Sequence, residues 1–126
     1  MTIKLAILDD YQGVALEMAD WSILPSDIEI TVFRDTLADL DAVATRLAPF
    51  EILAAMRERT PFPRPLFEKL PNLKLLVTTG MRNGAIDMKA AADHGITVCG
   101  TAGNTESTVE MIWALIQAAV RRLPQQ

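Results

Sequence analysis

Short apolar runs alternate with amphipathic segments along the chain, and this alternation predicts strands joined by helices. The predicted strands are Ile3 to Leu8, Ile28 to Phe33, Glu51 to Met56, Leu73 to Thr78 and Ile96 to Cys99. The predicted helices are Gly13 to Trp21, Leu37 to Leu47, one or two turns at Leu66 to Leu70, Ile86 to His94 and Ser107 to Leu123. Strict alternation of strand and helix favours an α/β fold, with a five-stranded parallel sheet covered on both faces.

Two helix ends carry local signals. Gly95 follows the helix that ends at His94, and it is placed to take the left-handed conformation just past that end. Ser107 and Glu110 have the spacing of a capping box, which predicts that the last helix begins at Ser107. Pro124 follows the predicted end of that helix.

The last helix is apolar around most of its circumference. Its main stripe is Val109, Ile112, Trp113, Ile116, Ala119, Val120 and Leu123, and Met111, Ala114, Leu115 and Ala118 extend it. Such helices are normally buried on several sides. Either this helix lies centrally between two layers of the same domain, or the chain is a piece of something larger. In the second case residues 107–123 dock on a missing domain or on a second subunit.

Composition restricts the class of protein. The chain has 126 residues, of which 50% are hydrophobic and 22% charged, so one domain with a real core is expected. The net charge of -4 and the scattered basic residues argue against nucleic-acid binding. No apolar run is long enough for a membrane span, and the N-terminus does not look like a signal peptide. With Cys99 as the single cysteine, the cytoplasm is the expected compartment.

The richest candidate site follows the fourth predicted strand. That strand stops at Thr79 and Gly80, and Arg82 and Asn83 come at once. Ligands of parallel sheets bind outside the carboxyl ends of the strands. Arg57, Arg59 and Arg82 lie in loops expected at this edge, and a guanidinium can hold a carboxylate through two hydrogen bonds. Together with the backbone amides of residues 80–82, they favour a small anionic ligand.

Other chemistries have little support. The sequence contains no Gly-x-Gly-x-x-Gly and no P-loop, so this segment alone does not predict dinucleotide binding. His94, the single histidine, is expected to have a structural role at a helix end. Neither a metal cluster nor a histidine-activated nucleophile can be built around it.

The acidic pair after the first strand raises a competing possibility. Asp9 and Asp10 occupy the position of the magnesium-binding acids in receiver domains, which share this length and strand–helix order. A receiver also needs an aspartate at the end of the third strand and a lysine after the fifth, and both are absent here. The acids are therefore expected to cap residues 11–14 or to be solvated. A receiver-like signalling or binding module stays open, as does a stand-alone flavodoxin-like protein that pairs as a homodimer.

The second half of the chain resembles the NAD-dependent D-isomer-specific 2-hydroxyacid dehydrogenases. The similar segments are Leu73 to Asp87, Ala90 to Gly100, and Thr108-Val109-Glu110 with Arg122 near the helix end. The resemblance extends from about Glu51 to Leu123, and the combination of segments is specific. It implies that residues 1–103 form a flavodoxin-like, doubly wound substrate (catalytic) domain. Residues 104–126 would be the helix that crosses into a nucleotide-binding domain missing from this chain.

The resemblance also implies site residues and a ligand. The backbone amides of Met81 and Arg82, beside Gly80, would hold the substrate carboxylate, with Arg82 standing where the family usually has a second glycine. Arg57 would lie near the pocket, and Asn104 falls where formate dehydrogenases use an asparagine. The stretch Cys99-Gly100-Thr101 departs from the more common asparagine-containing pattern.

The resemblance places the family's catalytic residues outside this chain. The parent protein is expected to be an oxidoreductase that uses NAD or NADP to interconvert small anionic 2-keto and D-2-hydroxy acids. The family's catalytic arginine, glutamate and histidine lie beyond this segment, so no catalytic and no metal residue is expected here. The fragment alone should lack turnover and bind no cofactor.

Overall fold

A computed structural model describes residues 1–122. Its strands are β1 (Ile3–Ile7), β2 (Ile28–Val32), β3 (Ile52–Ala55), β4 (Leu75–Thr78) and β5 (Thr97–Gly100). Its helices are α1 (Leu40–Leu47), α2 (Arg64–Phe67), α3 (Met88–Asp93) and α4 (Glu106–Arg121), with a short 3₁₀ turn at Trp21–Ile23. All strand pairs are parallel, in the order β2-β1-β3-β4-β5. This is the flavodoxin-like strand order, which confirms the predicted five-stranded sheet.

The two faces of the sheet are covered unequally in the described part of the chain. Leu53 and Leu76 point towards the helices and are fully buried in the main hydrophobic cluster. That cluster also takes its members from α1, α2 and α3: Val43, Ala44, Leu47, Leu66, Phe67, Ala90 and Ala91. On the opposite face Leu5 and Ile7 of β1 are buried outside this cluster, whereas Ile52, Ala54, Leu75 and Val77 are only half-buried.

The predicted helix from Gly13 to Trp21 is wrong. Both carboxylate oxygens of Asp10 accept hydrogen bonds from backbone amides of residues 13–15, which fold into turns. Trp21 then begins the 3₁₀ turn, and its Nε1 donates to the Ala15 carbonyl at 2.9 Å. Because the Asp10 side chain accepts hydrogen bonds from the amides of this segment, the backbone has an alternative to forming a helix.

Several helices begin at a different residue from the one that the sequence pattern predicts, and the local N-terminal signal explains each difference. The second predicted helix starts not at Leu37 but at Leu40, because Asp39 accepts a hydrogen bond from the amide of Ala42. Asp87 caps α3 in the same way, so Ile86 precedes that helix. The helical turn predicted for residues 66–70 lies earlier, at Arg64–Phe67, because Pro65 suits a first turn. Gly95 has the predicted left-handed conformation, with φ of 68°.

The last helix exists, but the predicted capping box does not form. Helix α4 begins at Glu106, so Ser107 already lies inside its first turn, and Asn104 Oδ1 accepts from the Glu106 amide. Leu123 and Pro124 lie outside the described residues. No residue of α4 is buried, and Trp113 is 59% exposed. The idea that α4 lies between two layers of this domain is therefore wrong.

Candidate functional site

The loop after β4 is fixed to the end of β5 by reciprocal hydrogen bonds. The Gly80 amide donates to Thr101 Oγ1 at 2.9 Å, and the Thr101 amide donates to the Gly80 carbonyl at 3.0 Å. Gly80 has φ of 98°, a conformation that costs other residues strain. A Cβ atom added at Gly100 would lie 2.7 Å from the Gly80 carbonyl oxygen, so this approach requires glycine at position 100.

The same loop is tied to the loop after β3. Asn83 Nδ2 donates to the Arg57 carbonyl at 2.6 Å and to Thr78 Oγ1 at 2.9 Å. The Arg57 amide in turn donates to Thr79 Oγ1 at 3.0 Å. Sequence reasoning did not assign Asn83, Thr79 or Thr101 to the site. The amide side chain of Asn83 directly after Arg82 was the available signal for one of them.

These contacts place the Arg57 guanidinium over Gly80. Arg57 has φ of 49°, which is unusual for a residue with a side chain. A Cβ atom built on Gly80 would lie 3.0 Å from Arg57 Nη1. Arg59 points elsewhere, since its guanidinium carbon lies 4.1 Å from the centre of the Tyr11 ring. Of the predicted arginines, Arg57 therefore lies at the loop after β4 (the β4 loop), and Arg59 lies at the loop after β1.

Arg82 and Met81 line an open cleft of about 350 Å³ at the carboxyl edge of the sheet. Its other lining residues are Thr78, Asn83, Gly84, Ile86, Met88, Val98 and Gly100. Met81 is 73% exposed, and in residues 1–122 the amides of Met81 and Arg82 donate to no protein acceptor. Asn104 does not line this cleft; it is exposed at the start of α4.

The charges at this edge are available to a ligand. The ion pairs found among the described residues are Arg46–Asp35, Arg64–Asp93, Lys69–Asp41 and Lys74–Glu51. Neither Arg57 nor Arg82 takes part in them, and both side chains are exposed. Arg82 lines the cleft and Arg57 lies next to it at Gly80, so the two guanidinium groups make this edge of the sheet attractive to an anion.

The acidic pair after β1 is engaged by the protein itself. Asp10 caps the segment that follows it, as predicted. Asp9 is 2% exposed, so the alternative that it is solvated is wrong. Its two oxygens accept from Thr36 Oγ1 at 2.6 Å and from Thr60 Oγ1 at 2.7 Å. The described residues contain no group of three potential metal ligands. The contacts of Asp9 and Asp10 therefore do not support the receiver-like alternative, in which these acids would bind magnesium.

His94 has the structural place predicted for it. It is the C-cap of α3, its Nδ1 lies 2.8 Å from the Ala90 carbonyl, and its ring stacks on Phe67. Within residues 1–122, the loop after β1 does not form a glycine-rich cradle for a dinucleotide. The loop between β1 and the following turns begins with two carboxylates rather than a glycine-rich turn, and carboxylates repel a pyrophosphate. The described residues of this loop therefore do not fit the pyrophosphate of NAD.

Comparison with known proteins decides the family. The model of the D-isomer specific 2-hydroxyacid dehydrogenase catalytic domain matches residues 6–122. The chain belongs to this family. A hydroxypyruvate reductase of Blautia hydrogenotrophica is 30% identical over 97 residues, 76% of this chain and 29% of that protein. A D-3-phosphoglycerate dehydrogenase of Bacillus subtilis is 32% identical over 97 residues, 76% of this chain and 18% of that protein.

Solved structures agree with the family assignment. A phosphoglycerate oxidoreductase from Vibrio cholerae O395 has a TM-score of 0.87 and 41% identity, covering 98% of this chain and 39% of that one. The Escherichia coli D-lactate dehydrogenase, at 20% identity, shares the fold with a TM-score of 0.77 over 98% of this chain and 39% of that one. The chain thus spans less than a third of the curated relatives above, at 29% and 18% of their length.

Within residues 1–122, none of the helices combines the length and apolar character needed to cross a bilayer.

Proposed function

We propose that the chain is the substrate-binding domain of a cytoplasmic, NAD-dependent D-2-hydroxyacid dehydrogenase. Residues 1–103 form this domain, and residues 104–126 lead into a nucleotide-binding domain outside this chain. The parent reaction is reversible hydride transfer between the nicotinamide and C2 of a small 2-keto or 2-hydroxy acid. The observation that carries the proposal is that the Arg57 guanidinium lies against the β4 loop at Gly80.

The β4 loop supplies the groups that a carboxylate needs. The amides of Met81 and Arg82 donate to no described residue, and Gly80 has no side chain to crowd the Arg57 guanidinium beside it. Two backbone amides and a guanidinium give a carboxylate several charge-assisted hydrogen bonds, which are stronger than neutral ones. Because Asn83 and Thr101 fix the loop in advance, little ordering is required when the acid binds.

Arg82 lies at the cleft itself, whereas Asn104 lies outside it, at the start of α4. Arg82 adds a second cation at the mouth of the cleft. Because Asn104 Oδ1 already accepts from the Glu106 amide, its Nδ2 is the group that donates to any part of the acid that extends beyond the cleft. The acid is small, as in the hydroxypyruvate and phosphoglycerate named for the relatives.

The chain on its own performs only part of this task. Its residues do not fit a dinucleotide, so NAD or NADP is bound by the nucleotide-binding domain. The isolated chain therefore binds no cofactor and shows no turnover. In the parent protein its contribution is to hold the carboxylate and so orient C2, and positioning of this kind lowers the barrier to reaction.

Amide NMR of the ¹⁵N-labelled chain, titrated with pyruvate, tests the proposal. We expect shifts at Gly80, Met81 and Arg82, and none with the neutral analogue pyruvamide, because the proposed contacts recognise the carboxylate. Arg57→Gln should weaken binding about tenfold. Lys74→Gln removes a cation that pairs with Glu51 and is the matched control. The absence of pyruvate-dependent shifts at the β4 loop would reject the proposal.

The exposed apolar residues of α4 also support a second arrangement. Ile112, Trp113 and Leu115 are each more than half exposed, at 52%, 59% and 62%. Two copies of the chain pairing through α4 would cover them, as would the nucleotide-binding domain. Light scattering separates the two, because a stable dimer of the isolated chain favours pairing and a monomer favours docking within a longer protein.

A further inference from the structure

Asp9 is a buried carboxylate to which the site described above gives no role. It lies two residues after the end of β1, is 2% exposed and has φ of 58°. Left-handed backbone at a residue other than glycine costs free energy and persists only where its surroundings hold it. Arg57 lies two residues after the end of the adjacent strand β3, and it is the other non-glycine residue near this edge with positive φ, at 49°.

The carboxylate of Asp9 joins three loops at the carboxyl edge. One oxygen accepts from Thr36 in the loop after β2, and the other accepts from Thr60 in the loop after β3. The bond to Thr60 is fully buried, since that residue is 5% exposed. A hydrogen bond to a buried carboxylate is costly to break, because the remaining oxygen loses its partner away from water.

Thr60 belongs to the same loop as Arg57. The Arg57 end of this loop is held by Thr79 and Asn83 of the β4 loop. The Thr60 end is held by Asp9. The short segment between these anchors presents the Arg57 guanidinium to Gly80.

We infer that Asp9, acting through Thr60, is a positioning residue that holds Arg57 over Gly80 for carboxylate binding. This inference rests on the proposed function, because it concerns the same anion site. Asp9 itself does not touch the acid. Its bond to Thr36 provides an internal comparison, since that bond has the same acceptor but leads to a loop without a proposed ligand contact.

The test uses three variants of the 126-residue chain, with pyruvate as the ligand. Thr60→Val removes one hydroxyl at nearly constant shape, Thr60→Ser restores a hydroxyl, and Thr36→Val removes the other hydroxyl on the same carboxylate. We expect Thr60→Val to weaken pyruvate binding about fivefold because the guanidinium is no longer pre-positioned. Thr60→Ser and Thr36→Val should bind as the unaltered chain does.

A ligand-free measurement separates this inference from the proposed function. Thr60→Val should move the NMR signals of the Arg57 amide and of the Asn83 side-chain amide, whereas Thr36→Val should leave them in place. If pyruvate fails to bind the unaltered chain, the proposed function fails and these signals still decide whether Asp9 positions Arg57. Thr60→Ala, which also removes only the Thr60 hydroxyl from the Asp9 carboxylate, replaces Thr60→Val if that variant does not fold, with the same expectation. Equal effects of Thr60→Val and Thr36→Val on binding and on these signals would overturn the inference.

Discussion

Helices α1 and α4 both carry an apolar stripe, but only α1 buries its stripe among the described residues. α1 buries Val43, Ala44 and Leu47 in the main cluster. α4 is twice as long, with 16 residues against 8, and buries none. The difference teaches that the sequence pattern sets which face of a helix is apolar, whereas burial depends on which surface lies opposite. For α4 that surface is not found in residues 1–122.

The largest expected effect comes from matched leucine-to-alanine substitutions in the two helices. Leu47 is 1% exposed in α1, and Leu115 is 62% exposed in α4. Leu47→Ala should lower the free energy of unfolding by about 2–5 kcal/mol, because it opens a cavity in the core. Leu115→Ala should change it by less than about 0.5 kcal/mol, as at other exposed positions. Urea unfolding measures both, and similar losses would break the comparison.

A substitution on the exposed face of α4 should affect association rather than the stability of the fold. Trp113→Gln removes an aromatic residue that is 59% exposed on α4. If this face docks on another protein surface, the variant should weaken self-association or docking about tenfold, since buried tryptophans are frequent anchors of interfaces. Analytical ultracentrifugation over a concentration series measures this. Unfolding of the variant chain would show instead that Trp113 belongs to the core.

Cap removal offers a subtler test. Asp39 caps α1 and Asn104 precedes α4, each accepting a backbone amide at 2.8 Å. Asp39→Ala should lower the free energy of unfolding by about 1 kcal/mol. Asn104→Ala should reduce helical circular dichroism while leaving the urea midpoint unchanged, because α4 contributes no buried residue to the core. A lower midpoint for Asn104→Ala would contradict this separation.

The smallest effect concerns an ion pair at the end of α1. A hydrogen bond from Arg46 lowers the pKa of Asp35 below its usual value of 3.8. Because the folded-state pKa is the lower one, the pair stabilises the fold above the unfolded-state pKa, and this contribution disappears as the pH falls through the folded-state value. The stability difference between the unaltered chain and Arg46→Gln should therefore shrink in acid to the part that comes from the contact of Arg46 with the Phe33 ring, 4.6 Å from guanidinium carbon to ring centre. A difference that grows in acid would contradict the assignment.

The sheet was predictable from sequence because each strand is a short apolar run that ends at polar or glycine residues. Segments whose backbone amides bond to side chains were not: Asp10 replaces a predicted helix with turns, and Asn104 rather than Ser107 contacts the start of α4. The links from Asn83 to Arg57 required knowing that β3 and β4 are neighbours. Spacing along the chain does not contain that information.

The candidate site was predictable in part. Its position at the carboxyl edge of the sheet followed from where the strands end, and the anionic ligand predicted from the arginines and backbone amides stays a prediction. The structure separates Arg57 from Arg59 and leaves Asn104 outside the cleft, because side-chain direction depends on local partners such as Tyr11 and Glu106. The roles of Arg57, Gly80 and Met81 in acid binding stay predictions.

A crystal structure of the chain grown with saturating pyruvate tests the central claim most directly. We predict that the carboxylate lies within hydrogen-bonding distance of the Met81 and Arg82 amides and of the Arg57 guanidinium. Pyruvate bound at another place, or a β4 loop without ligand at saturation, would contradict the account.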